Sequence, residues 1–372
     1  MSRSKRILAV TSDLGTGGAE RVLLNLLNYL AENESYEIHL LVIKNELYFR
    51  DKVNNKIKIY TLGFGKNEGF RKPKIVKLLA KIIQIRPNVL FVNNNHVASF
   101  LSFFLLLFFL LRIKLIWRLT LLQSYSSKGN STFHKLLFKI KAAAFNVIIT
   151  QSIDMTNDLI NNWGVCENKI TQINNPIDIQ NVLKQASIPS SINFDSRFKN
   201  YVMAGRLSKQ KGYDILIERI ANYSGQRDFR IYIMGKGPLQ EGLKDSIMLN
   251  GLQDVIYLIG YQNNPYAIMG QADGFILSSR HEGFPNVLLE ANALGLPIFS
   301  NQCPGGINEI IIEGINGNSC NMYTQSDFDT SFSTFRKTEF NKSVIYDTVF
   351  TRFSYNVIMP KYSNVFNKIL EK

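Results

Sequence analysis

Cysteine is scarce in this chain. Cys166, Cys303 and Cys320 are spread over 372 positions and never stand in a Cys-x-x-Cys spacing. Three cysteines cannot all pair, so a disulfide framework is excluded, a reducing compartment is expected, and no zinc site or other metal centre is. No Pro-, Ser- or Gln-rich tract and no repeat of solenoid period occurs, which excludes low-complexity and repeat architectures. A long leading hydrophobic segment is missing too. Only residues 7–10 are apolar after Met-Ser-Arg-Ser-Lys-Arg, too few for a signal-peptide core. A cytoplasmic protein is expected, with residues 7–11 as a buried first strand.

Acidic residues are few in the first half. Residues 1–184 hold 25 Lys+Arg against 12 Asp+Glu, whereas residues 185–372 hold 18 against 17. Of the net charge of +14, then, +13 lies in the first half. Such asymmetry calls for an anionic partner there: nucleic acid, anionic lipid or a phosphorylated substrate, the alternative being a soluble basic surface. No interleaved aromatic and basic motif of an RNA-binding module is present, so nucleic acid ranks last.

With 372 residues, 45% of them hydrophobic and 19% charged, the chain can bury two cores. Short apolar runs alternate with helical stretches, the pattern of parallel α/β sheets. Strands are expected at 7–11, 38–43, 89–92, 114–118 and 146–150, then at 201–204, 230–234, 255–259, 274–278 and 297–300. Turn signals at 174–178 and 187–191 put the junction between a first domain, 1–184, and a second, 185–352. A final aromatic-rich helix is expected within 353–372. The uncharged run 97–111 reaches only roughly 22 Å as a helix, short of a bilayer core, so it reads as a buried helix, or as one with a face dipping into a bilayer. Lys74, Lys77 and Lys81 share one helical face opposite Ile75, Leu78, Leu79 and Ile82, with Lys66, Arg71 and Lys72 before them. That pattern fits attachment to anionic lipid or an ordinary solvated face.

Three glycine-bearing turns carry the chemistry. Gly15-Thr-Gly-Gly18 follows the first strand and opens a helix, where backbone amides can meet an anion. Gly205-Arg206-Leu-Ser-Lys-Gln-Lys211-Gly212 follows another strand and sets two cations at a helix N-terminus, a site suited to a diphosphate. His281-Glu282-Gly283-Phe284-Pro285 precedes a helix with Pro285 in its first turn and Glu290 further along. Two carboxylates so placed can hold sugar and ribose hydroxyls, and Glu290 among apparently buried neighbours needs a partner.

Glu282 and Glu290, with seven residues between them, match the E-x7-E signature of retaining glycosyltransferases. The chain resembles glycosyltransferase family 4 nearly end to end. The matching segments are Gly-Gly-Ala-Glu-Arg at 17–21, Gly-Arg-Leu-x3-Lys-Gly at 205–212, Gly-Lys-Gly-Pro-Leu at 235–239, Glu-Gly-Phe-Pro-Asn at 282–286 and the segment 303–310. The resemblance implies the GT-B architecture: two Rossmann-like, doubly wound α/β domains facing across a cleft, with the last helix returning to the first domain. It implies that Arg206 and Lys211 bind the donor diphosphate, that Glu290 holds the ribose, and that Glu282 contacts the transferred sugar with amides of Gly283 and Phe284. Gly17 and Gly18 would close over the phosphates, and the base would lie near Gly237 and Tyr261. Many relatives carry a His at the end of the strand at 114–118; here Arg118 stands there, so that role is vacant or belongs to Arg118, and His96 is either another acceptor-pocket residue or a structural histidine. The expected partners are a nucleotide-sugar, a lipid-linked or phosphorylated glycan and an anionic membrane surface, with no cofactor or metal. An inactive nucleotide-sugar-binding protein of the same fold is the alternative.

Overall fold

In the computed structural model the described residues are 5–15, 17–45, 47–65, 72–126, 131–190 and 192–371, without the side chains of 72–74 and 126. The chain forms two compact units. Residues 1–176 and 356–372 make the first, residues 177–355 the second.

The first unit is built on seven parallel strands: β1 (Arg6–Thr11), β2 (Glu37–Lys44), β3 (Lys58–Phe64), β4 (Val89–Val92), β5 (Lys114–Arg118), β6 (Val147–Thr150) and β7 (Ile170–Gln172), in the order β3-β2-β1-β4-β5-β6-β7. The central strands are continuous runs of Ile, Leu, Val and Phe because helices cover both faces. The helix Gly18–Asn33 shows how: Val22, Leu23, Leu26, Leu27 and Leu30 recur at helical spacing and are all buried.

The second unit has six parallel strands: β8 (Lys199–Ala204), β9 (Phe229–Met234), β10 (Ile256–Gly260), β11 (Gly274–Leu277), β12 (Ile298–Asn301) and β13 (Gly317–Cys320), in the order β10-β9-β8-β11-β12-β13. Strand order reverses between β1 and β4 in one unit and between β8 and β11 in the other. Such reversals splay the flanking loops apart and open a crevice at the strands' carboxyl ends. The expected two-domain doubly wound α/β fold is what the chain adopts.

Details differ from the expectations. All ten expected strands are present. Three more were missed, β3, β7 and β13, and each lies at a sheet edge, where one side is unpaired and the sequence need not be uniformly apolar. The junction falls at 176/177 rather than 184/185, because the helix Ile179–Ala186 buries Ile179 and Val182 in the second unit's core. The second boundary falls at 355/356 rather than 352/353. From Asn356 onward the helix Tyr355–Glu371 belongs to the first unit, with Tyr362 and Phe366 fully buried.

The run 97–111 is not one buried helix. Asn94 caps a helix Asn95–Leu101 that buries Val97, Ala98 and Leu101. A single turn, Ser102–Phe104, then breaks the axis before a short helix, Leu105–Leu110, that buries only Phe108. No helix among the described residues is long and apolar enough to cross a membrane. In the basic helix Lys72–Ile85, Leu78 and Ile82 are buried and Lys77 is exposed, while Lys81 lies 3.9 Å above the Tyr60 ring. Lys66, Arg71 and the side chains of Lys72 and Lys74 lie outside the described residues.

Candidate active site

The second unit's crevice lies where the loops after β8 and β11 meet. After β8 the chain passes Gly205 and Arg206, makes a tight turn at Lys209–Lys211, and enters the helix Tyr213–Ala221 through Gly212. Gly212 has φ +63°, and a β-carbon there would sit 2.0 Å from the Ser278 carbonyl oxygen. Only glycine allows the two loops to approach so closely. Polar contacts then stitch them together. Ser278 Oγ donates to the Lys211 carbonyl at 2.9 Å, Gln210 Nε2 to the His281 carbonyl at 3.0 Å, and Arg280 pairs with both Asp214 oxygens at 2.8 and 2.7 Å.

This stitching sets Lys211 against Glu282. Lys211 Nζ donates to Glu282 Oε1 at 2.7 Å, and Ser279 Oγ donates to the same oxygen at 2.6 Å. The side chains are 20% and 8% exposed, so the pair is shielded from water on most sides. The third loop, after β12, closes over it: Glu282 N donates to the Pro304 carbonyl, and Gly305 (φ +132°) leaves no room for a β-carbon against the Glu282 carbonyl. Burial holds the neighbouring His281 below the usual histidine range, with the charge of Lys211 acting the same way and Glu282 opposing it. Arg206, by contrast, is exposed and has no ion-pair partner among the described residues. One cation is thus fixed on a carboxylate and a second is free to meet an anion.

Glu290 lies in the helix Asn286–Ala293, which begins after Pro285; Pro285 is its cap rather than part of its first turn. Leu288, Leu289, Ala291 and Ala293 are buried, and Glu290 Oε1 accepts a hydrogen bond from Tyr266 at 3.0 Å. Phe284 is buried, with Gly306 against its ring and Phe353 5.6 Å away, so only its backbone can reach a ligand; Gly283 accepts from Gly306 N. Gly237 lies in the turn between β9 and the helix Gln240–Leu249, and Tyr261 follows β10. Tyr261 is 42% exposed, with Lys236 Nζ 5.0 Å from its ring centre.

The first unit's crevice is different. Gly17 caps the helix Gly18–Asn33, and both Gly17 and Gly18 are exposed. Glu20, in the first turn, is pushed up by burial, with the nearby charge of Asp13 adding to it. His96 is exposed after β4. Arg118 is buried at the end of β5 and bonds Asn93 Oδ1 at 2.8 Å, Asn175 Oδ1 at 2.5 Å and Tyr362 OH at 3.2 Å. Its guanidinium is engaged within the unit, joining β4, the chain after β7 and the last helix.

The sequence brought out the charged residues but not their supports. Ser279 stands just before the segment His281–Pro285, and Tyr266 stands 24 residues before Glu290 with no local signal. The Arg280–Asp214 pair joins the loop after β11 to the helix Tyr213–Ala221, which only sheet order makes adjacent.

Comparison with known proteins follows the two units. The family described as Glycosyltransferase Family 4 matches residues 16–181, and Glycosyl transferases group 1 matches residues 184–340. The chain is 27% identical over 313 residues to N-acetylgalactosamine-N,N'-diacetylbacillosaminyl-diphospho-undecaprenol 4-alpha-N-acetylgalactosaminyltransferase of Campylobacter jejuni, covering 80% of each. It is 26% identical over 257 residues to an uncharacterized glycosyltransferase of Methanocaldococcus jannaschii, covering 65% of this chain and 63% of that one. In fold it is similar to Anabaena HepE, solved in complex with UDP and glucose, with a TM-score of 0.75 at 17% identity over 98% of this chain and 100% of that one. Matched in both units and alike in fold throughout, the chain belongs to the family 4, group 1 glycosyltransferases of GT-B architecture.

Proposed function

We propose that this glycosyltransferase moves a hexose or N-acetylhexosamine from a UDP-sugar to a lipid-linked glycan, with retention of anomeric configuration, in bacterial surface polysaccharide assembly (O-antigen, capsule or exopolysaccharide). The observation that carries the reading is the Lys211–Glu282 pair beside the exposed Arg206 at the β8/β11 crevice. A donor diphosphate entering there meets Arg206 directly and competes with Glu282 for Lys211. As the bond from the anomeric carbon to the phosphate oxygen breaks, negative charge grows on the leaving diphosphate. Arg206, and Lys211 once drawn from Glu282, stabilise that charge. The leaving oxygen takes the acceptor hydroxyl's proton on the same face, so the new bond forms on the side the old one left. Glu282, backed by Ser279, accepts from hydroxyls of the transferred sugar. Glu290, oriented by Tyr266, accepts from the ribose hydroxyls, and Tyr261 offers the base a face.

The Campylobacter relative's name gives a diphospho-undecaprenol acceptor, and the Anabaena structure holds UDP; both support the substrate classes proposed. The +13 balance of residues 1–184 supports a location on the inner face of the plasma membrane, held by anionic lipid. No metal or cofactor is required in this scheme, so turnover persists in EDTA.

A thermal-shift panel of nucleotide-sugars tests the reading, because a ligand that binds only the native state raises its melting temperature. UDP-sugars raise it and GDP- and ADP-sugars do not, and the hydrolysis product keeps the donor's anomeric configuration. A folded protein that no nucleotide-sugar shifts overturns the proposal.

A further inference from the structure

The helix Thr132–Ala143 carries two apolar stripes where a surface helix needs one. Phe138 and Ala142 point inward and are buried. On the outer side Phe133, Leu136 and Ile140, at i, i+3 and i+7, are each more than half exposed. An outward stripe at helical period leaves that apolar surface in water unless something covers it. The helix packs on the turn Ser102–Phe104, and this neighbouring segment carries a second exposed group, Phe103, Leu106 and Phe109, each more than 70% exposed. The surface runs on into an open groove of about 600 Å³ bordered by Leu105, Phe109 and Leu370, with Arg112 and Lys114 among its lining.

Charge along this stretch of the chain has one sign. From residue 69 to residue 153 the chain has no Asp or Glu and 13 Lys+Arg. Lys135 and Lys139 flank the outer stripe on the same helix. A soluble protein partner would bring its own mixture of charges, but exposed apolar side chains set among an excess of cations match the layering of an anionic bilayer: hydrocarbon beneath, phosphate around.

We infer that Phe133, Leu136 and Ile140, with Phe103, Leu106 and Phe109, insert into the interfacial layer of an anionic membrane, and that this face, rather than the lysines of Lys72–Ile85, is the main attachment. The inference rests on the membrane location proposed above and adds its surface and its mode, insertion as well as electrostatics. Topology gives it a purpose. The crossover from β5 enters the helix at the carboxyl edge of the sheet, so Phe133 lies toward the edge that holds Asn93, Asn94 and His96. A lipid-linked acceptor lying in that membrane has its glycan close to the first unit's crevice.

The test is cosedimentation of the full chain with phosphatidylglycerol and with phosphatidylcholine vesicles, at low and at 0.5 M salt. Three proteins are compared: wild type, F133S/L136S/I140S and K77E/K81E. Hydrolysis of a UDP-sugar in the absence of vesicles is measured in each, so that loss of the membrane surface and failure of the enzymatic reading are read separately. We expect wild type to bind phosphatidylglycerol and to retain at least half of that binding in high salt. The apolar triple variant should bind about tenfold more weakly with unchanged hydrolysis, and K77E/K81E should change binding less than twofold. Equal binding of the triple variant overturns the inference, as does complete release of wild type by salt or equal binding to phosphatidylcholine. Wild type found as a dimer that the triple variant turns into a monomer, with no vesicle binding, also overturns it: a second copy then covers the face.

Discussion

In both units the sheet order reverses between two central strands, yet the cation beside each reversal is held in opposite ways. Lys211, beside β8/β11, is held on Glu282, a single carboxylate that a ligand can replace, with exposed Arg206 nearby. Arg118, beside β1/β4, is bonded on three sides by the neutral groups of Asn93, Asn175 and Tyr362. A charge paired by exchangeable contacts is available for binding. One surrounded by fixed hydrogen bonds is part of the frame, and removing it strands its partners. The same topology thus sets a cation on one exchangeable carboxylate in one unit and locks a cation into a junction of three elements in the other. Which of the two results depends on whether the cation's partners belong to the core.

The comparison breaks most visibly at Lys211. Because Lys211 is largely enclosed with Glu282, it is not a simple surface cation. Lys211→Ala should lower turnover by roughly two orders of magnitude or more and also lower unfolding free energy by about 3 kcal/mol, since Glu282 is left buried and unpaired. Arg206→Ala should lose comparable turnover with little change in stability. Urea denaturation alongside initial rates separates the two, and near-normal turnover in the folded double variant would remove both from the diphosphate site.

Arg118→Leu should cost about 2–4 kcal/mol, because three hydrogen-bonding groups lose their partner. The affinity of the second unit for UDP should stay unchanged. If stability holds while the KM for acceptor rises, Arg118 serves the acceptor and the contrast between the units narrows. At the donor's other end, Glu290→Gln should weaken UDP binding about tenfold by calorimetry, whereas Glu282→Gln should act mainly on kcat because its contacts lie nearest the reacting carbon. Unaltered UDP affinity in Glu290→Gln would rule out the ribose role.

The smallest effect sharpens the comparison within the first unit. Burial lowers Lys141 from 10.5 to about 8; its Nζ sits 4.4 Å from the Trp117 and Phe138 ring centres and 3.2 Å from Ser99 Oγ, with no carboxylate partner among the described residues. A lysine with its folded value depressed binds fewer protons folded than unfolded between pH 8 and 10.5, so stability rises with pH across that window and is lowest below it. Lys141→Met should remove that slope and raise stability at pH 7 by ~1–3 kcal/mol. Parallel pH–stability curves for the two proteins would show that the ammonium is not penalised.

The apolar runs alone determined ten of the thirteen strands and the division into two α/β units, because a strand covered on both faces must be hydrophobic along its length. Glycine spacing and the residues at 205–212 and 281–290 marked the two loops that meet after β8 and β11, since tight strand-to-helix turns leave few alternatives. What the sequence could not supply is distance. Lys211 meets Glu282 across 71 residues, and Arg118 meets Tyr362 across 244. Those contacts follow from strand order, which brings together loops that have no local relation. The run 97–111 makes the same point: its composition required burial, but only packing decided that its first half enters the core and most of its second half stays at the surface, because one turn at Ser102–Phe104 redirects the helix axis.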